Sequence, residues 1–328
     1  MSRVHRRTGR GGPGKEDDLV TEELLVNQEV RIAGAPISWG INEVEGWGYQ
    51  MGAQRVLDEA VSLGLPAIES GPEGFLPKDP VKASRVLGEH GLHLVGGFVP
   101  VVLHRAEARE EGLASVERQA EFFAATGADV LILAADIEGE GYEENVELDD
   151  AGWEELFEGL SLAEEIGARH GLAVAMHPHF GTAIERPHHV RRFLEGCETG
   201  LCLDTGHLMV GGDDPVAVAE LAADRVSIVH LKDVDRYLAE GVAKGEVGFE
   251  DAVRRGVFRA LGDGDVESER VIGLLEGSGY EGWYVLEQDI MLDEEPEEGK
   301  GPIEDVRKSL NFVRSVLDSG KGTKGLDG

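Results

Sequence analysis

Short runs of apolar residues alternate with segments of helical periodicity along most of this chain. The runs lie at 30–38, 67–69, 93–98, 130–134, 173–176, 200–203, 226–230 and 283–287. Each is apolar throughout, as expected for parallel strands covered on both faces, rather than alternating as in a half-exposed sheet. Helical patterns follow at 50–63, 80–90, 110–126, 150–170, 187–194, 214–223, 268–278 and 303–317. Gly64, Gly91, Gly127, Gly171 and Gly279 stand just past helical segments, where a left-handed residue ends a helix. Eight strand–helix repeats predict an α/β fold, a single (β/α)8 TIM barrel, over 29–318. An open doubly wound sheet is the runner-up, but no Gly-rich phosphate turn follows the first run. Residues 1–28 and 319–328 lack apolar periodicity and are expected to be tails; Arg3, Arg6, Arg7, Arg10 and Lys15 make the first of them basic at its start.

In such a barrel the site forms past the C-terminal ends of the strands. The residues there are informative. Trp39 and Asn42 follow the first run, Glu69 ends the second, and His104 follows the third. His177, His179 and Glu185 follow the fifth, Asp204 and His207 the sixth, His230 and Lys232 the seventh, and Glu287 the eighth. Several carboxylates converging on one axis need a compensating cation, and a divalent metal supplies it most simply. Glu185, Asp204, His230 and Glu287 are therefore the candidate ligands; three carboxylates and one imidazole suit Mn²⁺, Mg²⁺ or Co²⁺ and allow Zn²⁺. Taken singly, each has a duller reading, since Asp204 caps a turn as readily as it binds a metal. The conjunction at four successive strand ends favours the site.

The charge narrows the partners. With 31 Lys and Arg against 64 Asp and Glu, the formal net charge is −33, which repels nucleic acid and acidic lipid headgroups. No apolar run approaches the roughly 20 residues that span a bilayer, and the start lacks a secretory signal's apolar stretch, so a cytoplasmic protein is expected. Cys197 and Cys202 are expected to be reduced.

The sequence words Ala35-Pro36-Ile37-Ser38-Trp39, Glu69-Ser70-Gly71-Pro72-Glu73-Gly74-Phe75-Leu76-Pro77, His177 to Glu185, Leu203-Asp204-Thr205-Gly206-His207, His230-Leu231-Lys232-Asp233 and Leu286-Glu287-Gln288-Asp289 together resemble the sugar phosphate isomerase/epimerase superfamily, the xylose isomerase-like barrels. Within it the chain looks most similar to the inosose dehydratase branch. The resemblance implies a metal held by an acid after strand five, then Asp204, His230 and Glu287. The first of these transfers least directly, because many relatives place a Glu where this chain has Met176 and His177. Glu185 reaching back is the preferred reading, with His177 or His179 as the alternatives.

Such a site suits proton abstraction beside a carbonyl. His207, Lys232, His179 and His177 are the candidate proton carriers, and Trp39, Asn42, Glu69 and His104 the candidate polyol contacts, with Trp39 also readable as a structural plug. Few cations stand at the strand ends besides Lys232 and Arg186, which favours a neutral keto-polyol or keto-sugar over a phosphorylated one. Loss of water would make the protein a dehydratase acting on a substrate such as inosose. Return of the proton would make it an epimerase or isomerase, and a catalytically idle sugar-binding barrel is the third reading. Homo-oligomerisation is compatible with all three.

Overall fold

The computed structural model describes residues 31–323 except 45, 140, 141, 143 and 145, so the expected tail at 1–28 lies outside the described residues. In chain order the strands are β1 (Ile32–Gly34), β2 (Ala67–Ile68), β3 (His93–Leu94), β4 (Gly96–Val101), β5 (Val130–Ala135), β6 (Ala173–Met176), β7 (Gly200–Asp204), β8 (Val226–Leu231), β9 (Asp233–Val234), β10 (Phe258–Arg259) and β11 (Tyr284–Leu286). The helices are α1 (Ala53–Ser62), α2 (Pro80–His90), α3 (Ala106–Thr126), α4 (Asp150–His170), α5 (Pro187–Gly196), α6 (Thr205–Val210), α7 (Pro215–Ala222), α8 (Arg236–Ala243), α9 (Phe249–Arg254), α10 (Ser268–Ser278) and α11 (Pro302–Thr323).

Nine of the strands form one sheet, ordered β3-β2-β1-β11-β8-β7-β6-β5-β4, and every pairing within it is parallel. The two ends of that order are consecutive in the chain. Val95 lies between them, donating its N–H to Ile68 O and accepting from Asp129 N. The sheet therefore closes on itself as a (β/α)8 barrel, with β3 and β4 as two halves of one barrel strand. A closed ring replaces the open doubly wound sheet.

Sequence and structure differ at a few edges. Among the described residues of the first run the strand is Ile32–Gly34, and it ends there because Pro36 presets the backbone of a 3-10 turn over Pro36–Trp39. The last helix continues through Thr323, past the expected boundary at 318. The periodicity did not flag α6, α8, α9 or the antiparallel β9–β10 pair, all of eight residues or fewer and inserted after the sixth and seventh barrel strands. Segments that short carry too few positions to show a period.

The barrel interior is packed with small and branched side chains, among them Ala33, Val95, Ile132, Ala175, Cys202 and Ile228, all fully buried. A second apolar cluster roofs the C-terminal side, joining Trp47, Phe180, Phe249, Phe258 and Val234 from loops and inserted elements. It gives the strand-end loops a core of their own and shields the polar side chains beneath from water. Cys197 and Cys202 are free thiols. Among the described residues no helix is long and apolar enough to cross a membrane.

Barrel closure allows no side chain at Gly96, where a Cβ would lie 2.1 Å from the Val130 carbonyl oxygen of the neighbouring strand. Gly96→Ala should destabilise the fold by about 1–3 kcal/mol or more, read as a lower urea midpoint at unchanged slope.

Candidate active site

Strand register sets the site. Asp204 at the end of β7 is level with His230 on β8, and Glu287 continues β11 by donating its N–H to Leu231 O. Asp204 divides its carboxylate between two tasks. Its Oδ1 accepts from His207 N at 2.8 Å and so caps α6, while its Oδ2 lies 3.1 Å from His177 Nε2, 3.1 Å from Lys232 Nζ and 3.6 Å from His230 Nδ1. Lys232 Nζ also reaches Glu287 Oε2 at 2.8 Å and Asp289 Oδ1 at 3.1 Å. His230 Nε2 is 2.8 Å from Glu69 Oε1, and its Nδ1, without a hydrogen-bond partner, faces Glu287 Oε2 at 3.3 Å. None of these side chains is more than 7% exposed.

Burial at this density perturbs every charge. It works against ionised Asp204, yet Lys232 and the imidazoles around that carboxyl hold it well below the usual range. Lys232 is likewise opposed by burial and held well above its ordinary value by Asp204, Asp289 and Glu287. Burial also disfavours imidazolium at His230, but Cys202, Glu287 and Glu69 raise it well above normal. Asp289 is pushed up to about 6 by burial, only partly countered by Lys232. His179 and His207 go the other way: burial and then the neighbouring positive charge hold both well below the usual imidazole range, so both are neutral near pH 7.

Their tautomers follow from backbone partners. His179 Nδ1 lies 2.7 Å from Phe180 O and must donate there, which leaves its Nε2 as a free acceptor. His207 Nδ1 accepts from Phe180 N at 3.4 Å, so its Nε2 carries the proton, 3.8 Å from Asp289 Oδ2. The two rings lie 3.7 Å apart.

Of the proposed ligands, the structure brings Asp204, His230 and Glu287 together and leaves Glu185 out. Glu185 Oε2 accepts from Gly181 N at 2.8 Å and its Oε1 pairs with Arg186 Nε at 2.6 Å, so its charge is met locally. The position beside Asp204 is taken by His177. Ligand atoms on one ion at about 2.1 Å stand about 3.4 Å from each other in tetrahedral geometry. Three of the six separations among His177, Asp204, His230 and Glu287, at 3.1, 3.6 and 3.3 Å, match that spacing, and His230 Nδ1 has no hydrogen-bond partner. The chemistry of these donors suits a divalent cation, and the buried trios His177–Cys202–His230 and Glu69–His230–Glu287 each have ligand atoms within 4.8 Å of one another.

A cavity of about 640 Å³ opens onto this cluster, and Asn42, Glu69, His179 and Lys232 are among its walls. Trp39 and His104 are not. Trp39 is fully buried and donates Nε1–H to Glu59 Oε2 at 2.8 Å, the plug of its alternative reading, and His104 lies buried away from the cavity. Sequence reasoning gave no role to Asp289 or Tyr142. Asp289 stands two residues past Glu287, so strand alternation alone puts it on the same side. Tyr142 comes from a polar loop without pattern, and its ring lies 5.8 Å from His179 and 4.8 Å from Phe249.

A family model described as xylose isomerase-like TIM barrel matches residues 57–316. Inosose dehydratase of Geobacillus kaustophilus is 32% identical over 268 residues, covering 78% of this chain and 86% of that protein. Inosose dehydratase of Salmonella typhimurium is 27% identical over 306 residues, covering 89% and 98%. Among solved structures, L-ribulose 3-epimerase superposes with a TM-score of 0.65 at 14% identity, covering 90% of this chain and 97% of that one. The IOLI protein with a bound zinc atom gives 0.63 at 12% identity, covering 88% and 99%.

Lys232→Met should be severe in metal-free protein, because Asp204, Glu287 and Asp289 would lose their shared cation. A loss of about 3–5 kcal/mol is expected, measured by urea unfolding in EDTA against the parent chain.

Proposed function

The chain belongs to the family of xylose isomerase-like TIM barrels, and on that premise we propose that it is a metal-dependent dehydratase of a neutral keto-polyol such as inosose. The likeness to inosose dehydratases over most of both chains supports the reaction. The observation that carries the reading here is the convergence of Asp204, His230, Glu287 and His177 beside a neutral imidazole with a free acceptor nitrogen, His179 Nε2.

Asp204, His230, Glu287 and His177 would hold the ion. Bound there, a divalent cation supplies Lewis-acid stabilisation of the negative charge that develops on a substrate oxygen as the neighbouring C–H proton leaves. His179 takes that proton at Nε2; its Nδ1–H stays committed to Phe180 O, which fixes the ring's direction. Lys232 and Asp289 line the same cavity and are the nearby acids. One of them gives a proton to the hydroxyl on the adjacent carbon, the C–O bond breaks, and water departs as the double bond forms. His207, outside the cavity lining, carries its Nε2–H toward Asp289 and orients it. The aromatic roof keeps bulk water from the exposed carbanion-like centre. With a substrate lacking a hydroxyl on that carbon, the same base and acids would exchange a proton at one carbon, which is the epimerase reading.

Three outcomes test this. Metal-loaded protein should convert inosose to a product absorbing in the ultraviolet, as an enone does and an epimer does not, and exhaustive EDTA dialysis should abolish the signal until Mn²⁺, Co²⁺ or Zn²⁺ is restored. Persistence without metal would refute the proposal. His179→Gln should lower kcat by about 10²–10⁴-fold with metal content intact. In elemental analysis Asp204→Asn should lose most of its metal, while Glu185→Gln should keep a full complement.

A further inference from the structure

We propose that the cavity holds a second subsite, beside helix α3, for a neutral sugar ring carried glycosidically on the keto-polyol. The proposal rests on the dehydratase reading for the placement of the first ring.

The cavity is larger than one ring needs. A cyclitol has about twelve non-hydrogen atoms; even at a water's share of about 30 Å³ each they occupy only about 360 Å³. The cavity measures about 640 Å³. His177, His230 and Lys232 line one part of it, and Ser115, Arg118, Gln119 and Phe122 of α3 line another. Phe98 lines the cavity too, with its ring centroid 5.7 Å from that of His177 and 5.1 Å from that of His179. Aromatic faces with a few convergent polar groups are the usual make-up of a small-molecule pocket, and sugar rings present both an apolar C–H face and hydroxyls.

Arg118 is the telling residue. The chain has 64 acidic side chains, yet among the described residues Arg118 makes no ion pair or hydrogen bond. The other cations on the cavity wall are spoken for: Lys78 pairs with Glu73, and Lys232 bridges three carboxylates. A guanidinium with five free donors suits hydroxyl oxygens in a planar array. Glu43, Glu69 and Glu73 on the same walls, with the net charge of −33, disfavour an anion there and select a neutral ring.

The test uses calorimetry on the metal-loaded protein with two unreactive probes, myo-inositol and galactinol, which is myo-inositol bearing a galactosyl ring. Galactinol should bind about tenfold or more tightly than myo-inositol, and Arg118→Ala or Gln119→Ala should reduce that ratio by about tenfold or to unity. Both side chains are exposed, so the fold should survive either change, checked by circular dichroism. Equal affinity for the two probes would overturn the subsite while leaving the dehydratase reading intact. Tighter binding of the corresponding uronosyl-inositol than of galactinol would assign the place to an anion and overturn the neutral-ring proposal. Failure of the parent protein to bind either probe would overturn both.

Discussion

Asp204 is the point on which the site turns. One carboxylate, fully buried, ends β7, caps α6 through Oδ1 and meets Lys232, His177 and His230 through Oδ2. A charge in that position is tolerable only with partners, and the partners come from the two neighbouring strands, β6 and β8, with Lys232 carrying the network on to Glu287 past β11. The sheet order that places β6, β7, β8 and β11 side by side is thus tied to the electrostatics at their ends. Fold and site stabilise the same residues.

The inserted elements after the sixth and seventh barrel strands serve the same end by another route. Phe249 of α9 and Phe258 of β10 pack near His207, at 5.9 and 6.0 Å between ring centroids, and Lys232 Nζ sits 5.6 Å from the centre of Phe258. An apolar lining this close lowers the local dielectric. That keeps His179 and His207 neutral while it strengthens the pull between Lys232 and its carboxylates.

Much of this was legible in the sequence. The barrel followed from apolar runs and helical periods, and Asp204, His230, Glu287 and Lys232 followed from their places just past those runs. The residue after strand five was harder. Glu185 looked right by chemistry, but the chain between His177 and Glu185 doubles back, with Ile184 O accepting from His179 N, and the neighbouring Arg186 neutralises the acid. A local salt bridge between adjacent residues leaves no mark in the pattern of hydrophobicity. His104 lies off the cavity wall for a related reason, since being near a strand end does not fix which way a side chain turns, whereas Trp39 is the plug that its position already allowed. The short elements α8 and α9 fell below the length at which a period can be read, and with them went the origin of the aromatic roof.

An imidazole rather than a carboxylate at position 177, 3.1 Å from Asp204, alters the whole donor set that these side chains would offer a divalent ion. It removes one formal negative charge and adds a second nitrogen, so attraction that depends on charge alone weakens while attraction that depends on nitrogen donors grows. By the Irving–Williams order such a sphere discriminates against Mg²⁺ and in favour of the later divalent ions of the first transition row. On the proposed reading, the protein's activity would follow the supply of those scarcer ions rather than that of magnesium.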